Sequence, residues 1–539
     1  MQKNLTELDD RRVEMAGSSE TADARTGQKV ETKPEVLLDG QSLTIEDVVA
    51  VARHGRRVAL SPDARGRVLE SHQMVQRLVR EQSTVYGVTT GFGQLCNVPI
   101  SAKDARVLQR NLILSHSAGV GPAFEEPVVR AIMLLRANAL AKGHSGVSLD
   151  IISTLIAMLN AGVHPIIPAK GSVGASGDLA PLAHMVLVML GEGEAIYKGH
   201  RLSGHEALKR CDIPPVELGP KEGLALINGT QVMTALGILT TYDGENVLKA
   251  ADIAAAMTFE ALGANPGAFD ARVHALRPHA GQAQCASNLR SLLDGSDLYT
   301  TPRTSRVQDP YSLRCVPQVH GACRDAVAFV RRTLTTEMNS ATDNPLLFPS
   351  DGVVLSGGNF HGEPVAIALD FLGIALAEVA SISERRLDKS LNSAFSELPI
   401  FLTRSSGLNS GLMLTQYTAA ALVNENKVLA SPASVDSIPT SAGQEDHVSM
   451  GTTAARKAWD ILTNTQYVVA IELLAAAQAL DLRHPDQLGG GTAVAHHLIR
   501  NKVATLVEDR VLAPDIEQMF HLVRSGELAE RVGEVAPIF

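Results

Sequence analysis

An all-α architecture is what this sequence predicts: a long, near-parallel helix bundle with a smaller, loop-rich N-terminal region. Three observations carry that reading. Alanine and leucine are prominent while aromatic residues make up only 4% of the 539 residues, a composition that favours helix over sheet. Apolar residues return at three- and four-residue steps over long stretches. Strict apolar–polar alternation, the mark of a half-buried strand, is rare, and no internal repeat stands out.

The elements follow in order. Residues 1–35 are polar, rich in Glu, Thr, Ser and Lys, and read as a disordered tail. Thr44 with Asp47 three residues on forms a capping box ahead of a helix over Ile45–Ala52. Val85–Ile100 is punctuated by glycine, lacks helical periodicity and reads as a loop. Val128, Ile132, Leu135 and Ala139 mark a helix closed by Lys142 and Gly143, and Ile152, Leu155 and Leu159 mark another before Gly162. Leu179–Leu190 is an apolar, helix-compatible run. A longer helix opens at Pro364 and carries Val365, Leu369, Leu372, Leu376 and Val379, followed by Glu384, Arg385 and Arg386. One more carries Leu462, Val469, Leu473 and Leu480. Stripes of that length need long partners, hence the bundle. Residues 36–539 are taken as one helical region, its N-terminal part reaching to about residue 220.

Composition excludes several function classes. Acidic residues (58) outnumber basic ones (48), the net charge is −10, and no basic stripe is present, so neither nucleic acid nor an anionic membrane is an expected partner. Five scattered cysteines (Cys96, Cys211, Cys285, Cys315, Cys323) offer neither a disulfide framework nor a metal-binding pair, and no metal site is read. The N-terminus carries Asp9, Asp10, Arg11 and Arg12 where a signal peptide needs an apolar run. The most hydrophobic stretches are interrupted by Asp370 and Glu378, or by Glu472, so no bilayer span is expected. A soluble, cytoplasmic protein of a reducing compartment fits these features.

The chemistry centres on Gly171–Leu182, where Gly171, Gly174 and Gly177 precede the apolar run. A phosphate loop would place a lysine and a hydroxyl residue after the last glycine, whereas Asp178 stands there and repels phosphate. Ala175-Ser176-Gly177 permits a rarer reaction. The Gly177 nitrogen can attack the Ala175 carbonyl carbon, close a five-membered ring with loss of water, and leave an exocyclic methylene once the Ser176 hydroxyl departs as a second water. Alone, the tripeptide is common and reads as an ordinary helix-leading loop. The full run Gly-Ser-Val-Gly-Ala-Ser-Gly-Asp-Leu-Ala-Pro-Leu-Ala resembles the prosthetic-group loop of the aromatic amino acid ammonia-lyases and aminomutases. That family forms 4-methylideneimidazole-5-one (MIO) from this tripeptide. The resemblance extends from about Leu37 onward.

Further motifs share it. Tyr86, in Tyr-Gly-Val-Thr-Thr-Gly-Phe-Gly, reads from chemistry as a lid base or a packing tyrosine; the resemblance implies the catalytic base on a lid, with Thr89 where members often carry Asn. His116, in Asn-Leu-Ile-Leu-Ser-His-Ser-Ala-Gly-Val-Gly, is a core histidine or a ring contact by type. Its stretch is similar to that of the histidine ammonia-lyases, which present this residue to the substrate imidazole. Asn228 offers an amide to a carboxylate or carbonyl, or a helix cap, and the resemblance puts it in the site. Arg314, in Gln-Asp-Pro-Tyr-Ser-Leu-Arg, supplies a fork for an α-carboxylate, with Tyr311 near the prosthetic group. Ser356–Pro364 contains His-x-Glu without the Pro-Cys-x-x-Cys of a zinc deaminase; the resemblance has Phe360 contact substrate, and Gly362 replaces a common Ala. Glu445, in Ser-Ala-Gly-Gln-Glu-Asp-His-Val-Ser-Met, would be costly to bury against a phenyl ring. Members acting on phenylalanine or tyrosine carry an amide there, so His116 with Glu445 argues for an imidazole substrate; Gly443 stands where Asn is usual. Gly191-Glu-Gly193 and Gly489–Gly491 lack a nucleotide fingerprint, and His496-His497 reads as helix surface.

The resemblance thus implies a histidine ammonia-lyase acting on L-histidine or a close analogue and releasing urocanate and ammonia. MIO built from Ala175, Ser176 and Gly177 is the electrophile, with no dissociable cofactor. Tyr86 takes the β-proton, Asn228 and Tyr311 support the prosthetic group, and His116, Arg314, Phe360 and Glu445 bind substrate. A homotetramer with shared sites is implied. Two alternatives stand beside it: a histidine 2,3-aminomutase giving β-histidine, and an inactive helical scaffold.

Overall fold

The computed structural model describes residues 34–85, 87, 88, 90, 104–299 and 307–539. The expected tail, apart from Pro34 and Glu35, therefore lies outside the described residues, as do Tyr86, Thr89, Cys96 and most of the expected 85–100 loop.

Local signals set the helix ends. Asp47 donates its amide to Thr44 Oγ1 at 3.1 Å while its carboxylate accepts from the Thr44 amide at 3.3 Å. This capping box starts Ile45–His54, which Gly55 closes at φ +65°. Glu126–Ala141 and Leu149–Ala161 follow, the second ended by Gly162 at φ +76°. Leu179–Met189 occupies the apolar run after the glycines.

Four long helices form the centre: Gln231–Ala261, Val316–Glu337, Glu363–Leu391 and Gly451–Arg483. They pack along one another, and Gln231–Ala261 is buried on nearly every face, as a helix apolar all round must be. Among the described residues the strands are only three or four residues long and join in sheets of two or three. An example is the antiparallel set Val163–Pro165, Glu194–Tyr197 and His200–Ser203. Such strands are too short for alternation to show in sequence.

Two expectations need correction. Asp370 and Glu378 do not exclude Glu363–Leu391 from spanning length: it is long and apolar enough to cross a bilayer by composition, yet most of it is buried in the bundle. His496 is not plain helix surface, because it is half-buried and pairs with Asp481 at 2.7 Å, whereas His497 is exposed. Arg386, in the charged run that follows the apolar stripe, is fully buried. Its Nε and Nη2 reach Glu472 at 2.6 and 2.8 Å, and Ser383 and Thr258 donate to the same carboxylate at 2.6 and 2.9 Å.

A second buried carboxylate, Asp252, is equally enclosed. It accepts from Arg324 at 2.5 Å, His320 at 2.7 Å, Asn288 at 2.9 Å and the Cys285 thiol at 3.2 Å. Burial works to raise its pKa, but Arg324 and His320 hold the carboxyl well below the usual range. Asp252, Cys285 and His320 lie close enough to ligate a metal, but this carboxylate already spends its lone pairs on hydrogen bonds.

Removing one partner of the Arg386–Glu472 pair leaves a buried, uncompensated charge. Arg386→Met is expected to destabilise the fold by about 3–5 kcal/mol, read as a lowered thermal or urea midpoint. The double variant Arg386→Met/Glu472→Leu is expected to recover most of that loss.

Candidate active site

Gly171, Gly174 and Gly177 adopt φ of +139°, +70° and +73°, so the glycine spacing serves backbone conformations that side chains disfavour. At Gly177 the requirement is double, because a Cβ there would strike the Gly229 carbonyl. Ala175 packs beneath the corner against Val448 and Met450.

Asp178, fully buried, anchors the corner. Its carboxylate accepts from the Val232 and Met233 amides at 2.9 and 3.0 Å, from Ser172 Oγ at 2.9 Å, and from the Thr452 hydroxyl. Its own amide donates to Gly229 O at 2.7 Å. Burial raises the pKa of this carboxyl and the hydrogen bonds oppose the rise. From the other side, Ser449 Oγ donates to Gly174 O at 3.0 Å and the Met450 amide to Val173 O at 2.9 Å. Gly362 fits for a steric reason: a Cβ there would lie 2.6 Å from Met233 and 2.8 Å from Ser449 Oγ.

Above the corner lies a cavity of about 760 Å³, lined among others by His116, Ala175, Ser176, Asn228, Phe360 and Glu445. Ser176 Oγ donates to Glu445 Oε1 at 2.9 Å, and Thr440 Oγ1 donates to Glu445 Oε2 at 2.7 Å. Asn228 Nδ2 donates to Ser176 O at 2.9 Å. His116, the last residue of the Ala105–His116 helix, is half-buried, and its pKa is lowered by burial, with the Glu445 charge partly opposing. Near the rim, His361 and His447 stack with centroids 5.8 Å apart.

The chain thus brings six predicted residues to one cavity, with Gly177 at the turn behind them. It does not bring Tyr311 or Arg314 there. Tyr311 is 70% exposed, and Arg314 stacks on its ring at 4.6 Å while donating to Asp309 O at 2.9 Å. Tyr86 lies outside the described residues. Sequence reasoning overlooked Thr440, which orients Glu445, and the clamping role of Asp178. It also overlooked Arg136, whose one available signal was a charge inside the apolar stripe of Glu126–Ala141.

Residues 43–501 match the family model described as aromatic amino acid lyase. The chain is 59% identical over 498 residues to a histidine ammonia-lyase of Alkaliphilus oremlandii, covering 92% of this chain and 98% of that protein. Its fold is similar to the crystal structure of histidine ammonia-lyase from Trypanosoma cruzi, with TM-score 0.88 and 43% identity, covering 94% of this chain and 96% of that one. It is also similar to tyrosine aminomutase from Streptomyces globisporus, with TM-score 0.90 and 38% identity, covering 94% and 100%.

The lowered His116 pKa has a definite sign in linkage. The unfolded chain binds the proton more tightly, so this residue's contribution to stability is full above the ordinary histidine value near 6.5 and is lost as pH falls through that range. Glu445→Gln removes the charge that opposes burial. It is expected to lower the His116 pKa further, as followed by NMR titration of the ring.

Proposed function

The chain belongs to the aromatic amino acid lyase family, and from that membership we propose that it eliminates ammonia from L-histidine to give urocanate. One observation carries the substrate choice: the Glu445 carboxylate reaches Ser176 at 2.9 Å inside a cavity that His116 also lines. A carboxylate held by Thr440 through Oε2 leaves Oε1 facing the cavity, where it accepts an imidazole N–H, whereas a phenyl ring offers that oxygen no donor.

The residues fit an MIO group formed from Ala175-Ser176-Gly177. Gly177 has the positive φ and bare Cα that let its nitrogen approach the Ala175 carbonyl carbon. Closing that N–C bond releases the Ala175 oxygen as water; the Ser176 hydroxyl then leaves as water with the Ser176 Cα proton. Asn228 donates to the Ser176 carbonyl that stays on the ring. When formed, MIO supplies an electrophile for the substrate amine. The chain's own side chains do the rest. Glu445 and His116 orient the imidazole, and Phe360 provides apolar wall. Tyr86 takes the β-proton, Arg314 grips the α-carboxylate through its fork, and Tyr311 supports the prosthetic group.

Arg314 and Tyr311 stand away from their own chain's cavity and are accessible to another copy. This supports a homotetramer in which subunits complete one another's sites. A cytoplasmic location is supported by Cys211, Cys285, Cys315 and Cys323, all free thiols. The likeness to an aminomutase fold keeps a second outcome, β-histidine, as the alternative product.

Incubation with L-histidine is expected to release urocanate and ammonia in equal amounts from a chain two waters lighter than its sequence mass. β-Histidine as the major product would replace the lyase reading with the aminomutase one. Glu445→Gln is expected to lower kcat/KM for histidine by about 10- to 100-fold, the worth of a charged hydrogen bond. Unchanged kcat/KM would sink the imidazole assignment.

A further inference from the structure

Behind the corner, on the side away from the cavity, lies Arg136, fully buried in the Glu126–Ala141 helix. Its Nη1 donates to Gln231 Oε1 at 2.7 Å, Asn228 O at 3.2 Å and Thr342 O at 3.4 Å, and its Nη2 donates to Ala225 O. No carboxylate is among these acceptors. Asp343, whose charge acts on Arg136 through space, is itself bonded to the buried Lys221 at 2.7 Å, so two buried cations share one acid. The layers are tight. A Cβ on Gly229 would strike Arg136 Nη1, and a Cβ on Gly177 would strike Gly229. The stack therefore runs from Arg136 through Asn228-Gly229 to Ser176-Gly177.

We propose that Arg136 is a positioning residue, whose planar fork presses the Asn228–Gly229 peptide against Ser176–Gly177 and sets the amide that donates to the Ser176 carbonyl. This rests on the MIO reading above. The fork ties together the end of the Glu222–Ile227 helix (Ala225, Asn228), the start of Gln231–Ala261 (Gln231) and the Thr342 loop. These are the segments that frame Asn228. Full burial lowers the guanidinium pKa to about 10, which still leaves it charged at neutral pH. Lysine keeps that charge but lacks the two-pronged donor geometry needed to serve all four acceptors.

The test compares wild type with Arg136→Lys by intact mass, thermal melting and steady-state kinetics with L-histidine. Arg136→Lys is expected to contain a fraction two waters heavier than the matured chain, and to show kcat reduced about 100-fold with KM within about threefold, as displacement of a catalytic group by about an ångström does. A folded, fully matured Arg136→Lys with wild-type kcat overturns the proposal. If that variant does not fold, Gln231→Leu, which removes the side-chain acceptor of Nη1 together with the donor to Thr342 Oγ1 at 2.7 Å, is expected to lower kcat about tenfold, the worth of one charged hydrogen bond, with a lowered melting temperature. Wild-type kcat and maturation in Gln231→Leu would likewise overturn it. Wild type that loses two waters yet ignores histidine defeats the substrate assignment alone, and the maturation comparison still decides on Arg136.

Discussion

One buried carboxylate holds the architecture of this site together. Among the described residues no cation pairs with Asp178, and an unpaired ionised group in that position ordinarily costs too much to keep. Two amides at the start of Gln231–Ala261, a hydroxyl from the first turn of Gly451–Arg483 and another from Ser172 meet it instead. The positive ends of two of the longest helices thus converge on one acid. The glycine corner is thereby tied to the rigid core of the bundle. A loop merely resting on the surface would not hold Ala175, Ser176 and Gly177 in so tight a turn.

The bundle itself uses the same device at a larger scale. Glu472 and Asp252 are charges placed among apolar helices, and each is surrounded by donors from different segments: Arg386, Ser383 and Thr258 around one, and His320, Arg324 and Asn288 around the other. Buried pairs of this kind add little net stability over apolar packing, but they penalise any sliding of one helix past another. Long helices with uniformly apolar faces need that penalty, because Leu and Ala stripes alone tolerate several registers. The corner can keep its geometry only if the helices that hold it keep theirs.

The proposed chemistry places opposite demands on two faces of the same tripeptide. On the cavity face Ser176 must be open, next to Glu445, His116 and Phe360. On the hidden face it must be immobile, and Asn228, Gly229 and Arg136 supply that wall. Glycine is required at 177 and 229 for close approach rather than for flexibility. Tyr311 and Arg314 stack on each other away from this chain's cavity.

Much of this was legible in the residues themselves. The Thr44–Asp47 box, the helix closed by Gly162 and the apolar run after Gly177 are local, and neighbours within a few positions decide them. The tripeptide and the motifs around His116, Asn228, Phe360 and Glu445 could likewise be picked out one by one. Their meeting could not. Ser176 and Glu445 are 269 positions apart and Arg136 and Asn228 are 92 apart, and chain separation carries no information about distance in space. Nor could sequence assign Arg386 and His496 their buried partners, since a charged residue looks the same whether it faces solvent or another helix. By itself the sequence determined the starts of capped helices such as Ile45–His54, the close of Leu149–Ala161 at Gly162 and the glycine-framed tripeptide, because these depend on contacts within a turn or two. Only the tertiary structure decided which distant carboxylate clamps the corner, which one enters the cavity and which arginine stands behind it, because packing of whole helices sets those distances.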